Sequence, residues 1–285
     1  MSDITLGQFF PGFSSLHKLD PRTKILLTVF YIVAVFVAKN PISYLAVILV
    51  SLFMVLISRI SPKIVLKGIK PIALIIIITS LLNVFLTKGE SDPLFSYKFI
   101  EIYYEGIIRA VTMSLRVIVL IIGTSMLLTY TTSPISLTDG LESLLSPLKK
   151  IHVPVHSFAM MMSIALRFIP TLVEETEKIM NAQKSRGADF TSGSLVKRAK
   201  ALIPILVPLF VSSFKRADEL ATAMECRCYR GDKNRTKLVK LQMRGRDYLW
   251  LFGFMAFAAV IILCAILPYN YEWNSLALDI LFYKI

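Results

Sequence analysis

Long apolar stretches, five times over, limit this chain more than any other feature. Residues 24–38, 42–57, 68–87, 106–130 and 248–267 run with few charges, and a helix needs roughly 20 mostly apolar residues to cross a bilayer. With 55% hydrophobic and only 18% charged residues in 285, the chain is poor in charge beside a soluble domain, which averages about 25%. Lipid must therefore solvate much of it. The expected fold class is an all-α integral membrane protein of about five transmembrane helices, with a cytoplasmic-side module of long amphipathic helices. The first two runs are short and need flanking residues to complete a span. The start of the first is well marked: Asp20 can cap, Pro21 suits the first helical position, and Arg22 and Lys24 are expected to reach headgroups.

The charges orient the spans. The net charge of +13 collects on span flanks, and cytoplasmic loops of membrane proteins carry the excess of lysine and arginine. Lys18, Arg22 and Lys24 precede the first span, and Arg59, Lys63, Lys67 and Lys70 lie between the second and third. The next connection is acidic, with Glu90, Asp92, Glu101 and Glu105 against Lys88 and Lys98. Alternation places the N-terminus and the basic link inside, the acidic link outside and the C-terminus outside. The segment 95–104 is a candidate interfacial element. The beginning, MSDITLGQFF, reads as no signal peptide.

The long interval between the fourth and fifth spans holds the functional signal. It falls inside by alternation and is rich in lysine and arginine, yet it is not soluble in composition. Residues 133–150 read as a short amphipathic helix that Pro147 ends or kinks. Two long helices follow, each apolar in one half and charged in the other, with Pro170 in the first and Pro204 and Pro208 in the second. Each proline removes a helical donor and should bend its helix. Such helices suit a membrane surface or a docked protein.

Both helices finish alike, in NAQKSRGADF (181–190) and TAMECRCYRG (222–231). Gly187 and Gly231 read as ordinary helix stops, and an arginine in a last turn complements the helix dipole. Capping leaves a second regularity unexplained: Ala182 stands four residues before Arg186, and Ala223 four before Arg227. Spacing by four puts Glu174, Lys178, Ala182 and Arg186 on one face, and likewise Glu219, Ala223 and Arg227. A small alanine lets another surface come close, and the arginine fork seeks carboxylates or carbonyl oxygens. That pattern suits a helix end entering a groove on a partner protein.

Other chemistries find little support. Cys226, Cys228 and Cys264 are too few for a disulfide framework, and no nearby CxxC or histidine completes a zinc set around Cys226 and Cys228. His152 and His156 flank Pro154 and read as turn histidines. There is no P-loop, HExxH or GxSxG, and the basic charge is spread along membrane flanks rather than over a soluble nucleic-acid-binding face. Arg109 and Arg116 fall within the fourth span, where a charge is costly and usually functional; Arg116 is expected to face protein.

Several motifs together resemble the transmembrane T component of energy-coupling factor (ECF) transporters, the family that includes the cobalt-uptake permease subunit. HKLDPRTK (17–24), TTSPISLTDGLESLLSPLKK (131–150), ALRFIP (165–170), AQKSRG (182–187) and AMECRC (223–228) carry the likeness, which extends over about residues 7–267. The last two are similar to the family's Ala-Arg-Gly signatures, with departures: Ser185-Arg186-Gly187 and Cys226-Arg227-Cys228 share only the arginine.

The resemblance implies a scaffold that performs no chemistry and holds no cofactor, with ATP and magnesium bound by partner subunits. It implies two cytosolic ABC-type ATPase subunits on the helix tips and a small substrate-binding membrane subunit, dedicated or shared, on the apolar halves. The tip set is Ala182, Ser185, Arg186 and Gly187, with Ala223, Glu225, Cys226, Arg227 and Cys228. The apolar set is Phe158, Met161, Met162, Leu202, Ile205 and Leu206. The implied setting is a bacterial cytoplasmic membrane, with the coupling helices on its inner side. On this reading residues 1–130 form four spans, 131–245 the coupling-helix region, and 246–285 the last span and tail. The main alternative is a self-contained permease with its own substrate path, which would place charges or broken helices at the membrane midplane; only Arg116 is an obvious deep charge. A membrane enzyme would need clustered acidic residues or histidines at one face, and the candidates are scattered.

Overall fold

The computed structural model of the chain describes residues 9–87, 95–97, 100–188, 190, 194–229, 231 and 241–266. Lys88, Glu90, Asp92 and Lys98 of the acidic connection, the first eight residues and everything after Ile266 lie outside them. The described helices are α1 (Pro21–Val37), α2 (Pro41–Ser58), α3 (Pro62–Leu86), α4 (Tyr104–Thr124), α5 (Pro134–Leu144), α6 (Val155–Ser185), α7 (Leu195–Cys226) and α8 (Gly245–Ile266). One wider π-helical turn, Ser125–Thr129, continues α4. The segment that the sequence offered as interfacial contains an antiparallel ribbon of two short strands, β1 (Phe95–Tyr97) and β2 (Ile100–Ile102), pairing Phe95 with Ile102 and Tyr97 with Ile100. The architecture is otherwise helical, as the apolar periodicity requires.

Contacts divide the chain into two units. Among the described residues, one joins 9–133 to 242–266 and carries α1–α4 and α8; the other lies within 134–241 and carries α5–α7.

In the first unit α1 lies at the centre, packed on α8 and α4, with Leu27, Tyr31, Ala34 and Val35 buried. The Tyr31 hydroxyl donates to the Val119 carbonyl (2.8 Å) and shares a 2.7 Å hydrogen bond with Ser51. Gly123 lets the Tyr31 ring in: a Cβ there would fall 2.2 Å from the ring. Helix contacts in lipid depend on such close approach, because burial from water no longer drives them. The outer surfaces of α2 and α3 carry exposed Leu45, Leu49, Leu74, Ile77 and Leu81, apolar groups that suit lipid.

Both ends of α1 are held by distant residues. At its start the Asp20 carboxylate accepts from the Arg22 N–H (2.9 Å), as the cap expectation required. Asp247, in the first turn of α8, accepts from the Asp20 N–H (2.8 Å) and reaches back to the Arg244 N–H (2.7 Å). Lys24 corrects the sequence reading. It does not reach for headgroups: it is 2% exposed, and its ammonium donates to the carbonyls of Thr131 (2.7 Å) and His17 (3.3 Å). Its hydrogen-bonding partners in the fold, one of them 107 residues away, outcompete the interface.

At its other end α1 stops early. Seventeen residues rise about 26 Å, short of the roughly 30 Å hydrocarbon core, and the last carbonyls of a helix need partners. Arg116 of α4 supplies one, donating to the Ala38 carbonyl (3.0 Å) and to the Tyr44 hydroxyl, with its guanidinium 5.6 Å from the Tyr44 ring centre. Asn40 does the same for α8, donating to the Cys264 carbonyl at 2.9 Å. Arg116 thus faces protein, as the sequence suggested, and its work there is capping.

By length and composition, five described helices suffice to cross a membrane: α2, α3, α4 with its π turn, α6 and α8. That set differs from the five apolar runs of the sequence, because α1 is short and α6 is long.

Before α1, residues 9–20 form a strap. The Phe10 N–H donates to the Tyr130 carbonyl (3.0 Å), and the two rings pack 5.9 Å apart. His17 bridges the strap through Phe10 O (2.9 Å) and Ser14 Oγ (2.6 Å). Burial holds the His17 imidazole below its ordinary value; its bond to Phe10 pulls the other way, and the nearby Lys24 charge adds a still smaller lowering.

Candidate functional site

The second unit presents the two long helices. α5 ends at Leu144 and a tight turn, Ser146–Ile151, follows with Pro147 in its first positions. His152 takes a left-handed conformation (φ 62°) at the end of that turn. His156 departs from the turn reading: it lies in the first turn of α6, buried, 3.0 Å from the Glu142 carboxylate of α5. That bond fixes where α6 starts. Pro170 lies inside α6, and Pro204 and Pro208 inside α7.

α6 and α7 pack directly against each other. Arg216 of α7 donates to Glu175 of α6 at 2.6 Å. Beside this bond is a cleft of about 310 Å³, lined by Ile164, Phe168 and Leu172 on one side and Ala217, Leu220 and Met224 on the other.

The helix ends are built identically in backbone. Arg186 terminates α6 with φ −89° and ψ 9°, and Arg227 terminates α7 with φ −88° and ψ 14°. The next residue is left-handed in both: Gly187 at φ 85° and Cys228 at φ 57°. Its N–H bonds the carbonyl three residues back, Lys184 (2.9 Å) or Glu225 (2.8 Å). The residue after it bonds five back, Ala188 to Gln183 and Tyr229 to Met224, both at 3.0 Å. This double-bonded left-handed cap usually takes glycine at its turning residue.

The reading of Gly231 as the stop of α7 is therefore corrected. The left-handed stop comes three residues earlier, at Cys228, which holds the position that Gly187 holds in α6. Only glycine adopts this conformation freely, so the cysteine carries strain of about 1 kcal/mol. The two caps thus place Arg186 and Arg227 at equivalent positions without calling for arginine there, and the unlike neighbours Gly187 and Cys228 are structural equivalents.

Ala182, Ser185, Arg186 and Gly187 are exposed, as are Ala223, Glu225, Cys226, Arg227 and Cys228. Each tip offers a cation among small neighbours, at the negative end of a helix dipole that favours it. Among the described residues no cluster of three or more histidine, cysteine or acidic side chains is placed to hold a metal.

On the apolar halves, Phe158, Met161 and Met162 of α6 and Leu202 and Leu206 of α7 are exposed, and the α7 row runs on through Phe210 and Phe214. Ile205 is the correction: at 3% exposure it belongs to the packed side. It follows Leu202 by three and precedes Leu206 by one, and a single residue turns a helix by 100°, which carries it out of the exposed row. The Glu175–Arg216 contact had no sequence signal, since 41 residues separate its partners and both sit among other charges.

Comparison with known proteins places this architecture. The sequence profile of the CbiQ family, described as cobalt transport protein, matches residues 12–238 and so spans both the buried helix α1 and the two tips. The Energy-coupling factor transporter transmembrane protein EcfT of Clostridium kluyveri is 51% identical over 275 residues, covering 96% of this chain and 100% of that protein. The protein of the same name from Ruminiclostridium cellulolyticum is 54% identical over 247 residues, with 87% and 91% covered. That of Bacillus subtilis is 46% identical over 261 residues, with 92% and 98% covered. A buried, doubly tied α1 and a pair of arginine-tipped helices thus come with a match along nearly the whole chain: this multi-pass membrane protein belongs to the CbiQ family of cobalt transport proteins.

Proposed function

We propose that this chain is the energy-coupling membrane subunit of an ATP-driven ECF uptake transporter for a micronutrient, a vitamin or metal ion. It links cytosolic ATPase subunits to a separate substrate-binding membrane subunit and does no chemistry of its own. The observation that carries the reading is the pair of matched caps. Two helices present the same exposed arginine in the same backbone, at the ends of segments whose other halves are exposed apolar surface. Two like sockets on a pair of ATPases would accept such tips, with ATP and magnesium held by those partners. Arg186 and Arg227 supply the charge, Ala182, Ser185 and Ala223 the close approach, and Gly187 and Cys228 the turn that ends each plug.

The substrate-binding subunit packs on Phe158, Met161, Met162, Leu202 and Leu206. Unbranched methionines adapt to varied partner shapes, which suits a surface shared among several such subunits. ATPase closure draws the tips together, and the helices pass that motion to the membrane partner. The permease alternative loses its best residue, because the guanidinium of Arg116 is engaged by Ala38 and Tyr44.

The test is co-purification from membranes of the native host. The wild-type chain is expected to bring down two nucleotide-binding subunits and a small hydrophobic protein. The double variant Arg186→Glu/Arg227→Glu is expected to lose the nucleotide-binding pair while its thermal unfolding in detergent stays unchanged. Intact recovery of the ATPases by the double variant would sink the assignment of the tips.

A further inference from the structure

The contact between Glu175 and Arg216 stands in a regular relation to the tips. Each residue lies eleven positions before its terminal arginine, Glu175 before Arg186 and Arg216 before Arg227. Eleven residues of α-helix rise about 16 Å and complete slightly more than three turns. Each helix therefore carries its contact residue and its tip arginine on nearly the same face, on arms of equal length.

Around this contact the interface is apolar: Phe168, Leu172, Ala217, Leu220 and Ala221 line the adjoining cleft. Apolar contact is non-directional and leaves two helices free to roll or slide. A charge-assisted hydrogen bond of 2.6 Å is directional and does not. The side chains are 32% and 21% exposed, shielded enough to keep a defined geometry. The contact also lies between the halves assigned above to different partners, with the tips beyond it and the exposed apolar residues before it in both helices.

We infer that Glu175 and Arg216 are positioning residues. They register α6 against α7 at one crossing, so that movement of the tips reaches the apolar halves as a change of helix angle and is not lost in slippage. The inference rests on the proposed function for what moves the tips; the registration itself does not depend on it.

Two measurements separate these levels. In the first, nitroxides are placed at Ala182→Cys and Ala223→Cys in the full chain, with Cys226, Cys228 and Cys264 replaced by serine, and the distance distribution is measured in lipid nanodiscs. Glu175→Arg and Arg216→Glu are each expected to broaden or shift the distribution, and the combined charge swap to restore it. In the second, the whole transporter is reconstituted in liposomes. Each single reversal is expected to lower ATP-driven uptake about tenfold while the ATPase subunits still co-purify, and the swap to return it to within about threefold.

An unchanged distance distribution in the single variants, or a swap no better than either single, overturns the inference. So does loss of the ATPase subunits in a single reversal, which would make the pair part of a docking surface. If the wild-type chain recovers no ATPases, the functional reading fails, and the spin-label distances still decide the registration.

Discussion

At Cys228 a side chain with a Cβ occupies a conformation that Gly187 occupies in the other helix, and the comparison is internal to one molecule. A Cβ at Gly187 would meet no atom within 4 Å, so the glycine is there for its backbone freedom. Exchanging residue types at the two positions should therefore give opposite signs. Cys228→Gly is expected to stabilise the end of α7 by up to about 1 kcal/mol, and Gly187→Ala to weaken the end of α6 by about 1–2 kcal/mol. Hydrogen exchange of the cap amides reads this directly. The N–H groups of Cys228 and Tyr229 should exchange about two- to fivefold more slowly in the first variant, and those of Gly187 and Ala188 faster in the second. Equal protection in wild type and variants would mean that the cap carries no strain. The equivalence of the two positions was legible in the sequence, since AQKSRG and AMECRC align residue for residue once the alanines and arginines are superposed. Expecting glycine at a helix stop obscured it. Lys24 was misread for a different reason: its charge was counted as a membrane flank, whereas its destination, the Thr131 carbonyl, is set by tertiary structure.

Among the elements, α1 shows how a short helix ends inside a membrane unit. Its terminal carbonyl at Ala38 takes the Arg116 guanidinium, which Tyr44 holds from the side through its hydroxyl and its ring. Removing that donor leaves a buried acceptor without its partner, at a depth where water is scarce. Arg116→Met is expected to destabilise the unit by about 1–3 kcal/mol, seen as a lower midpoint of thermal unfolding in detergent. Tyr44→Phe keeps the ring and loses only the hydroxyl, so its effect should be smaller. If Arg116→Met unfolds at the wild-type temperature, the arginine is not a cap, and its place in a span again calls for a functional explanation. Periodicity and run length showed where the helices lie and that α1 was short. They did not show what completes it, because Ala38 and Arg116 are 78 residues apart. The pairs Glu142–His156 and Glu175–Arg216 escaped for the same reason: a sequence displays charges without their partners.

Across the whole molecule, composition leaves one ambiguity that physics can resolve. α6 is long and apolar enough to span, and if it crossed, both arginine tips would lie on the opposite face. Its apolar half contains Arg167, which would sit twelve residues beyond Val155, near mid-membrane, where an arginine costs about 2.5–3.5 kcal/mol. A crossing would also carry Lys197, Arg198 and Lys200 of α7 to the outside, against the bias that keeps basic residues in the cytoplasm. α6 is therefore expected to stay on the inner side. The native cysteines report the outcome, because Cys226 and Cys228 are exposed beside the second tip. With Cys264 replaced by serine, a membrane-impermeant maleimide should label them in inverted vesicles and leave them unlabelled in intact cells. Ser91→Cys, on the acidic connection and in a background free of native cysteines, should label in the reverse order. If Cys226 and Cys228 label from the same side as position 91, α6 crosses, and the proposed docking of Arg186 and Arg227 on cytosolic ATPases fails. If Cys226 and Cys228 label only in inverted vesicles and position 91 only in intact cells, α6 stays on the inner side and the tips project into the compartment that holds ATP, where the proposed docking needs them.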